Sequence, residues 1–218
     1  MRTIPNRAGL AKYNVNRPGW EAIRQSLYDF QTYAAAGQTT LQFFTVPNGQ
    51  GGKTLSDTNM TLAGQLPAAQ EFLVNSIEVY YLPTVGTSAA PAVTDPATHA
   101  VTAVASMIND VYRFYQSGNL VFTIGSKPYL QEAPLGRFPG KTKFDLSAAV
   151  SQNVAANESH QVFAQSQGRP YLLSPADLRL TSSQNFNVTL NWPEGLRPVS
   201  VTARVGVILD GIMYRRSQ

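Results

Sequence analysis

The sequence contains no cysteine and only two histidines, His99 and His160. Without thiols there is no disulfide framework, no thiolate zinc site, no iron–sulfur cluster and no cysteine nucleophile. Two separated histidines leave little from which to build a multi-histidine metal centre. Charge is scarce too: Asp, Glu, Lys and Arg make up 14% of the 218 residues, against about 25% in an average soluble domain. Asn, Gln, Ser and Thr carry the polarity instead, which suits a surface covered by neighbours. No window approaches the roughly 18 uninterrupted apolar residues that a spanning helix needs. The segment from Met1 to Trp20 lacks the apolar stretch and small-residue cleavage site of a secretory signal. The expectation is a soluble protein made in a cytoplasm. The Asn-x-Ser/Thr triplets at Asn59, Asn157 and Asn187 are then chance matches.

The charge that is present is unevenly placed. The net charge is +4, and residues 1–17 hold Arg2, Arg7, Lys12 and Arg17 with no acid, leaving 13 basic and 13 acidic residues in the remainder. Pro5, Gly9 and Pro18 break regular structure here, so the segment reads as an extended arm. Such an arm either contacts nucleic acid, bridges to a neighbouring subunit, or stays a solvated terminus. After it, Trp20, Ile23, Leu27 and Phe30 recur at spacings of three and four, with Glu21, Arg24, Gln25 and Asp29 between them. This spacing predicts one amphipathic helix, opened by Pro18 and stopped at Gly37. Its stripe either packs on the chain's own sheet or docks a partner subunit. The domain reading is an arm plus helix over 1–37 and a β domain over 38–218.

Beyond Gly37 the pattern becomes that of strands. Thr40 to Val46, Phe72 to Leu82, Val111 to Tyr115, Leu120 to Ile124, Asn185 to Trp192 and Val199 to Tyr214 are rich in β-branched and aromatic residues. Phe186, Val188, Leu190 and Trp192 alternate cleanly onto one face. In Phe72 to Leu82 the alternation is partial, with Val74, Ser76, Glu78 and Tyr80 opposing Leu73, Ile77, Val79 and Tyr81. Asp210-Gly211 is either a hairpin turn or a bulge in one long strand. The stretches 84–98, 131–143 and 148–167 read as irregular. Short strands joined by Pro- and Gly-punctuated loops, with no strand–helix alternation, predict an all-β antiparallel sandwich. About eight strands with long connections favour a jelly roll over an immunoglobulin-like domain.

The motifs that could carry chemistry are weak. Gly51-Gly52-Lys53-Thr54 follows an apolar strand as a phosphate-binding loop would, but Pro47 stands where the first glycine belongs, and the sequence after Thr54 is poor helix material. Neither histidine adjoins a Gly-x-Ser-x-Gly nucleophile elbow. Carboxylate pairs drawn from Glu71, Glu78, Asp110, Glu132 and Asp145 are conceivable for glycoside hydrolysis, yet an exposed strand face explains Glu78 as simply. Tyr112, Arg113, Phe114 and Tyr115 have the composition of a base-stacking platform, though core packing with one solvent-facing arginine explains them better. The expectation is no enzyme activity, no cofactor and no metal.

A basic arm, then a helix, then strands separated by low-charge loops is similar to the jelly-roll capsid proteins of icosahedral viruses, including tailless phages. The runs that carry the resemblance are Asn119 to Gly125 leading to Ala133 to Pro139, Ser183 to Pro193, and Arg204 to Gly211. It covers roughly 38–216 and lies in architecture and composition. The length suits one jelly roll and argues against a two-barrel protein. The resemblance implies a structural virion protein that self-assembles into an icosahedral shell, in many symmetric copies and with other virion proteins. It also implies that Arg2, Arg7, Lys12 and Arg17 touch neighbours or genomic nucleic acid, and that Trp20, Ile23, Leu27 and Phe30 dock subunits. The rival reading is a carbohydrate- or receptor-binding sandwich such as a spike or fibre head, for which Tyr80, Tyr81 and Trp192 are the candidate aromatics.

Overall fold

The computed structural model describes residues 19–83, 110–153, 156–173 and 178–216, and over 143–167 the backbone alone. In chain order its strands are β1 (Trp20–Arg24), β2 (Leu27–Tyr33), β3 (Thr40–Phe43), β4 (Gln70–Pro83), β5 (Asn119–Ile124), β6 (Lys127–Glu132), β7 (Thr142–Asn153), β8 (Ala156–Gln167), β9 (Tyr171–Leu172), β10 (Leu178–Thr181), β11 (Phe186–Asn191) and β12 (Ala203–Arg216). Residues 110–116 form a short helix, α1, and Leu135–Arg137 a single 3₁₀ turn.

The strands make an all-β, antiparallel sandwich. One sheet runs β2-β12-β4-β10, with β1 continuing the β2 edge along β12 and β9 continuing the β10 edge along β4. The other runs β3-β11-β5-β6. Both sheets bury one face into a single core. Leu27, Tyr33, Val79, Val205, Val207 and Leu209 come from the first, and Leu41, Phe43, Leu120, Phe122, Val188 and Leu190 from the second. Each such side chain, fully buried, contributes about 1.5–3 kcal/mol. The β11 alternation is observed as expected: Phe186, Val188, Leu190 and Trp192 are all buried. Tyr33, Tyr81, Phe114 and Trp192 meet at tilted and edge-on angles at one end of this core, the arrangement that ring quadrupoles favour.

β12 is one continuous strand, so Asp210-Gly211 marks a bulge and not a hairpin turn. The register passes from Asp210↔Ser76 to Gly211↔Val74, which leaves Asn75 of β4 as the extra residue. The bulge reverses the inward face of β4: Phe72 and Val74 are core on one side of it, Ile77, Val79 and Tyr81 on the other. That reversal is why the alternation was only partial in the sequence. Gly211 is required because a Cβ there would overlap the Leu73 carbonyl oxygen.

The predicted amphipathic helix is not formed. Trp20–Arg24 and Leu27–Tyr33 are strands, both paired to β12, so residues 20–33 belong to the first sheet. The spacing of three and four was real, but seven residues of β2 alternate Leu27, Asp29 and Tyr33 inward against Tyr28, Phe30 and Thr32, and a long β12 edge is there to receive them. Pairing overrides a weak local preference. The Ala34–Ala36 run ends in a turn, with the Gly37 amide donating to the Ala34 carbonyl and Gly37 at φ 88°. Val111 to Tyr115, expected as a strand, lies within α1.

The outer edge of β2 is covered. The Phe30 amide donates to the Asp57 carbonyl (2.7 Å), the Tyr28 amide to Asn59 Oδ1 (3.0 Å), and Asn59 Nδ2 to the Ser26 carbonyl (2.7 Å). Past β9, the edge of β4 is closed by Tyr115, whose hydroxyl donates to the Val79 carbonyl and accepts from the Tyr81 amide. β7 and β8 stand apart from both sheets. They pair with each other over twelve positions, from Thr142↔Gln167 to Asn153↔Ala156, and with no other described strand.

Candidate functional site

The four arm cations, Arg2, Arg7, Lys12 and Arg17, lie outside the described residues, as does His99. The residues predicted to dock subunits do not form one stripe. Leu27 is core and Ile23 packs against the core, whereas Phe30 lies on the opposite face of the first sheet. Phe30 spreads across Gly206, where a Cβ would collide with its ring, and the Arg204 guanidinium sits 4.4 Å above that ring. Arg204 in turn pairs with Asp57 at 2.8 Å. Trp20 is partly buried in β1, opposite Arg216.

Two buried carboxylates, Asp29 and Glu78, anchor segments outside the two sheets. Asp29 is fully buried in β2. It accepts from the Phe44 amide at 2.6 Å and from Lys53 Nζ at 2.5 Å, and it bridges in register to Thr58. Phe44 is itself fully buried with φ 68°, a backbone state that disfavours a bulky residue, so this hydrogen bond holds a strained turn. Burial pushes the Asp29 carboxyl above its usual range, opposed by Lys53 and the Phe44 amide. The Gly-Gly-Lys-Thr motif is thereby accounted for. Its lysine side chain is only 13% exposed and is directed into the protein onto Asp29, and turns follow it in place of a helix. No phosphate cradle results.

Glu78 projects from the other face of the first sheet and is 2% exposed. It accepts from the Tyr80 hydroxyl and from the Lys141 amide, both at 2.7 Å, with Lys141 Nζ 4.0 Å away. Lys141 Nζ also pairs with Asp210, which Arg24 approaches at 3.6 Å. The Thr142 amide reaches the Tyr80 hydroxyl at 3.4 Å, and the Gly168 amide donates to the Lys141 carbonyl at 2.9 Å. Burial and the bond to Glu78 push the Tyr80 hydroxyl up to about 12. Gly140 lies so close over Tyr80 that a Cβ would sit 2.5 Å from its ring. These residues are the root of the β7–β8 ribbon, clamped to the outer face of β4 and β12.

The remaining sequence candidates resolve into structural pairs. Glu71 pairs with Arg179 and Glu132 with Arg137. Asp110 accepts from the Ser200 amide at 2.7 Å and its hydroxyl at 3.2 Å. Asp145 and His160 belong to the ribbon, where the backbone alone is described. The Tyr112–Tyr115 run is divided by α1: Phe114 is core, Tyr115 closes β4, and Tyr112 and Arg113 are exposed. Trp192 and Tyr81, named for a sugar platform, are core residues. Trp192 Nε1 and the Tyr81 hydroxyl are buried with no hydrogen-bond partner among the described residues, and burial raises the Tyr81 hydroxyl. Among the described residues no group of three or more His, Asp or Glu is placed to hold a metal ion, and no helix is long and apolar enough to cross a membrane. No protein-family model, no curated protein and no solved structure matches the chain.

The ribbon and its root were missed by sequence reasoning. The stretch 148–167 read as irregular because it is rich in Ala, Gln, Asn and Ser and shows no alternation; in 131–143 the breakers Pro134, Gly136, Pro139 and Gly140 were read correctly, since 133–141 holds only a 3₁₀ turn between β6 and β7. The available signal was Glu78, an acid beside Ser76 and Tyr80 on one face of a long, otherwise uncharged part of the Phe72 to Leu82 strand.

Proposed function

We propose that the chain is a capsid subunit built on a single jelly roll, a structural virion protein that assembles in many copies into an icosahedral shell. The observation that carries this reading is the strand order. Numbered among themselves along the chain, the eight main strands β2, β3, β4, β5, β6, β10, β11 and β12 fall as 1-8-3-6 in one sheet and 2-7-4-5 in the other. That interleaving, in which every successive pair but the β5–β6 hairpin crosses between the two sheets, supports an eight-strand jelly roll over an immunoglobulin-like sandwich. Fold alone does not specify activity. The step from fold to function rests on resemblance to jelly-roll capsid proteins, on the low charge, and on buried carboxylates that tie down a loop and the root of the β7–β8 ribbon.

In this reading the sandwich is the rigid block and its projections make the contacts between copies. The arm cations Arg2, Arg7, Lys12 and Arg17 reach beneath a neighbour or toward the genome. The shell is the protein's place of residence, after synthesis in the host cytoplasm. Electron microscopy and sedimentation of the purified full-length chain test it: closed particles of uniform size are expected, and a clean monomer at micromolar concentration would overturn it. Deleting residues 1–17 should leave the circular-dichroism spectrum and melting temperature unchanged while reducing particle yield. Loss of fold on that deletion would remove the arm from the assembly role.

A further inference from the structure

A chain without cysteine can tie distant segments covalently only through other side chains. Among the described ion pairs, one alone has both partners drawn out of water. Lys53 is 13% exposed and Asp29 fully buried, whereas the cation of every other pair is at least 39% exposed. Lys53 Nζ lies 2.5 Å from Asp29 Oδ1, and the Phe44 amide donates to Oδ2 at 2.6 Å. The fully buried Thr58 bonds the same carboxyl through its hydroxyl. Burial pushes that carboxyl toward its protonated form, against the opposing pull of Lys53 and the Phe44 amide. These are the parts of a condensation. An amine stands within reach of a carboxyl, an N–H is aimed at the oxygen on which charge would develop, and a hydroxyl is at hand to carry a proton.

We propose that Lys53 and Asp29 condense within the folded chain into an amide bond between Nζ and Cγ. The inference stands apart from the assembly reading above. In the first step a proton passes from Nζ to Oδ1. This leaves a neutral amine beside a neutral acid, the form that burial favours over separated charges. Nζ then attacks Cγ. A C–N bond forms, and the electron pair of the C=O bond moves onto Oδ2, where the Phe44 amide stabilises it. A second proton leaves the nitrogen through the Thr58 hydroxyl and arrives on Oδ1. The C–Oδ1 bond breaks, one water departs, and Oδ2 becomes the amide carbonyl oxygen. Ammonium and carboxylate thus become amide and water, with no oxidant, reductant or co-reactant. The bond would fasten to β2 the loop whose Asp57 and Asn59 cover its edge.

Intact-mass spectrometry of the denatured, full-length wild-type chain tests this directly. The expected mass is that of the unlinked chain less one water. Proteolytic digestion should then give a branched peptide joining the segments that hold Asp29 and Lys53. Lys53→Arg keeps a cation opposite Asp29 and lacks the amine, and it should show its full unlinked mass. A wild-type mass equal to that of the unlinked chain would overturn the inference and leave an ion pair. So would a lost water that maps elsewhere, such as a cyclic imide at Asp210-Gly211. The wild-type measurement decides the matter whether or not the variant folds, and neither result alters the capsid reading.

Discussion

In the sandwich, β4 and β12 run for 14 residues each and bury a face against a second sheet. In the ribbon, β7 and β8 run for 12 residues each and pair only with one another among the described strands. The two regions use the same hydrogen-bonding pattern with different sources of stability. The sandwich carries its own core, whereas the ribbon is held at its root by Glu78, Tyr80, Lys141 and Asp210. A chain so divided separates the stability of the sandwich from the anchoring of the ribbon, and substitutions should move one without the other.

The largest expected effect is on the sandwich. Trp192→Ala empties the centre of the aromatic cluster and should lower unfolding free energy by roughly 3–5 kcal/mol in denaturant titration; an unchanged midpoint would take Trp192 out of the core. Asp29→Ala comes next, at about 3 kcal/mol, because it leaves Lys53 without its counter-ion and the Phe44 amide without an acceptor. The same titration checks it, and a change under 1 kcal/mol would mean that the loop is held by other contacts.

A smaller effect tests the root. Glu78→Ala strands the Lys141 amide and the Tyr80 hydroxyl, at about 1–2 kcal/mol. Hydrogen exchange should quicken at the ribbon amides while those of β5 and β11 keep their protection. Equal loss of protection everywhere would erase the distinction between the two regions. The smallest effect is Asp57→Asn. The Thr54 amide and hydroxyl and Arg204 bind this carboxylate and hold it below its usual range, the Thr54 amide most strongly. A lowered folded pKa adds stability that is full above the unfolded value near pH 4 and fades as pH falls through the folded one. Wild type should therefore exceed the variant by less than ~1 kcal/mol at pH 7, with the melting curves converging as pH falls through the lowered folded value.

The regions also differ in how legible they were. β11 was read correctly because one buried face imposes strict alternation on Phe186, Val188, Leu190 and Trp192. β5 and the β5–β6 turn were found for the same reason. β4 was found with its faces blurred, since the Asn75 bulge reverses them part-way and no local signal marks an extra residue. β1 and β2 were mistaken for a helix because what decides them is a partner strand nearly 200 residues away. The ribbon was invisible because its Ala-, Gln-, Asn- and Ser-rich segments show no apolar–polar alternation in the sequence. Of the site, Lys53 was noticed for the wrong chemistry. Its partner Asp29, placed on the outer side of a supposed helix, is instead fully buried.

The loop that lies along β2 has a consequence for what the protein can become. An open strand is an invitation to endless lateral growth, one molecule's sheet continuing into the next until a fibre forms. With Asp57 and Asn59 occupying those backbone groups, that route is shut along β2, and the Gln31 side chain caps the Gln42 carbonyl of β3. In the proposed shell, contact between copies falls instead on surfaces of fixed extent, from which a structure can close.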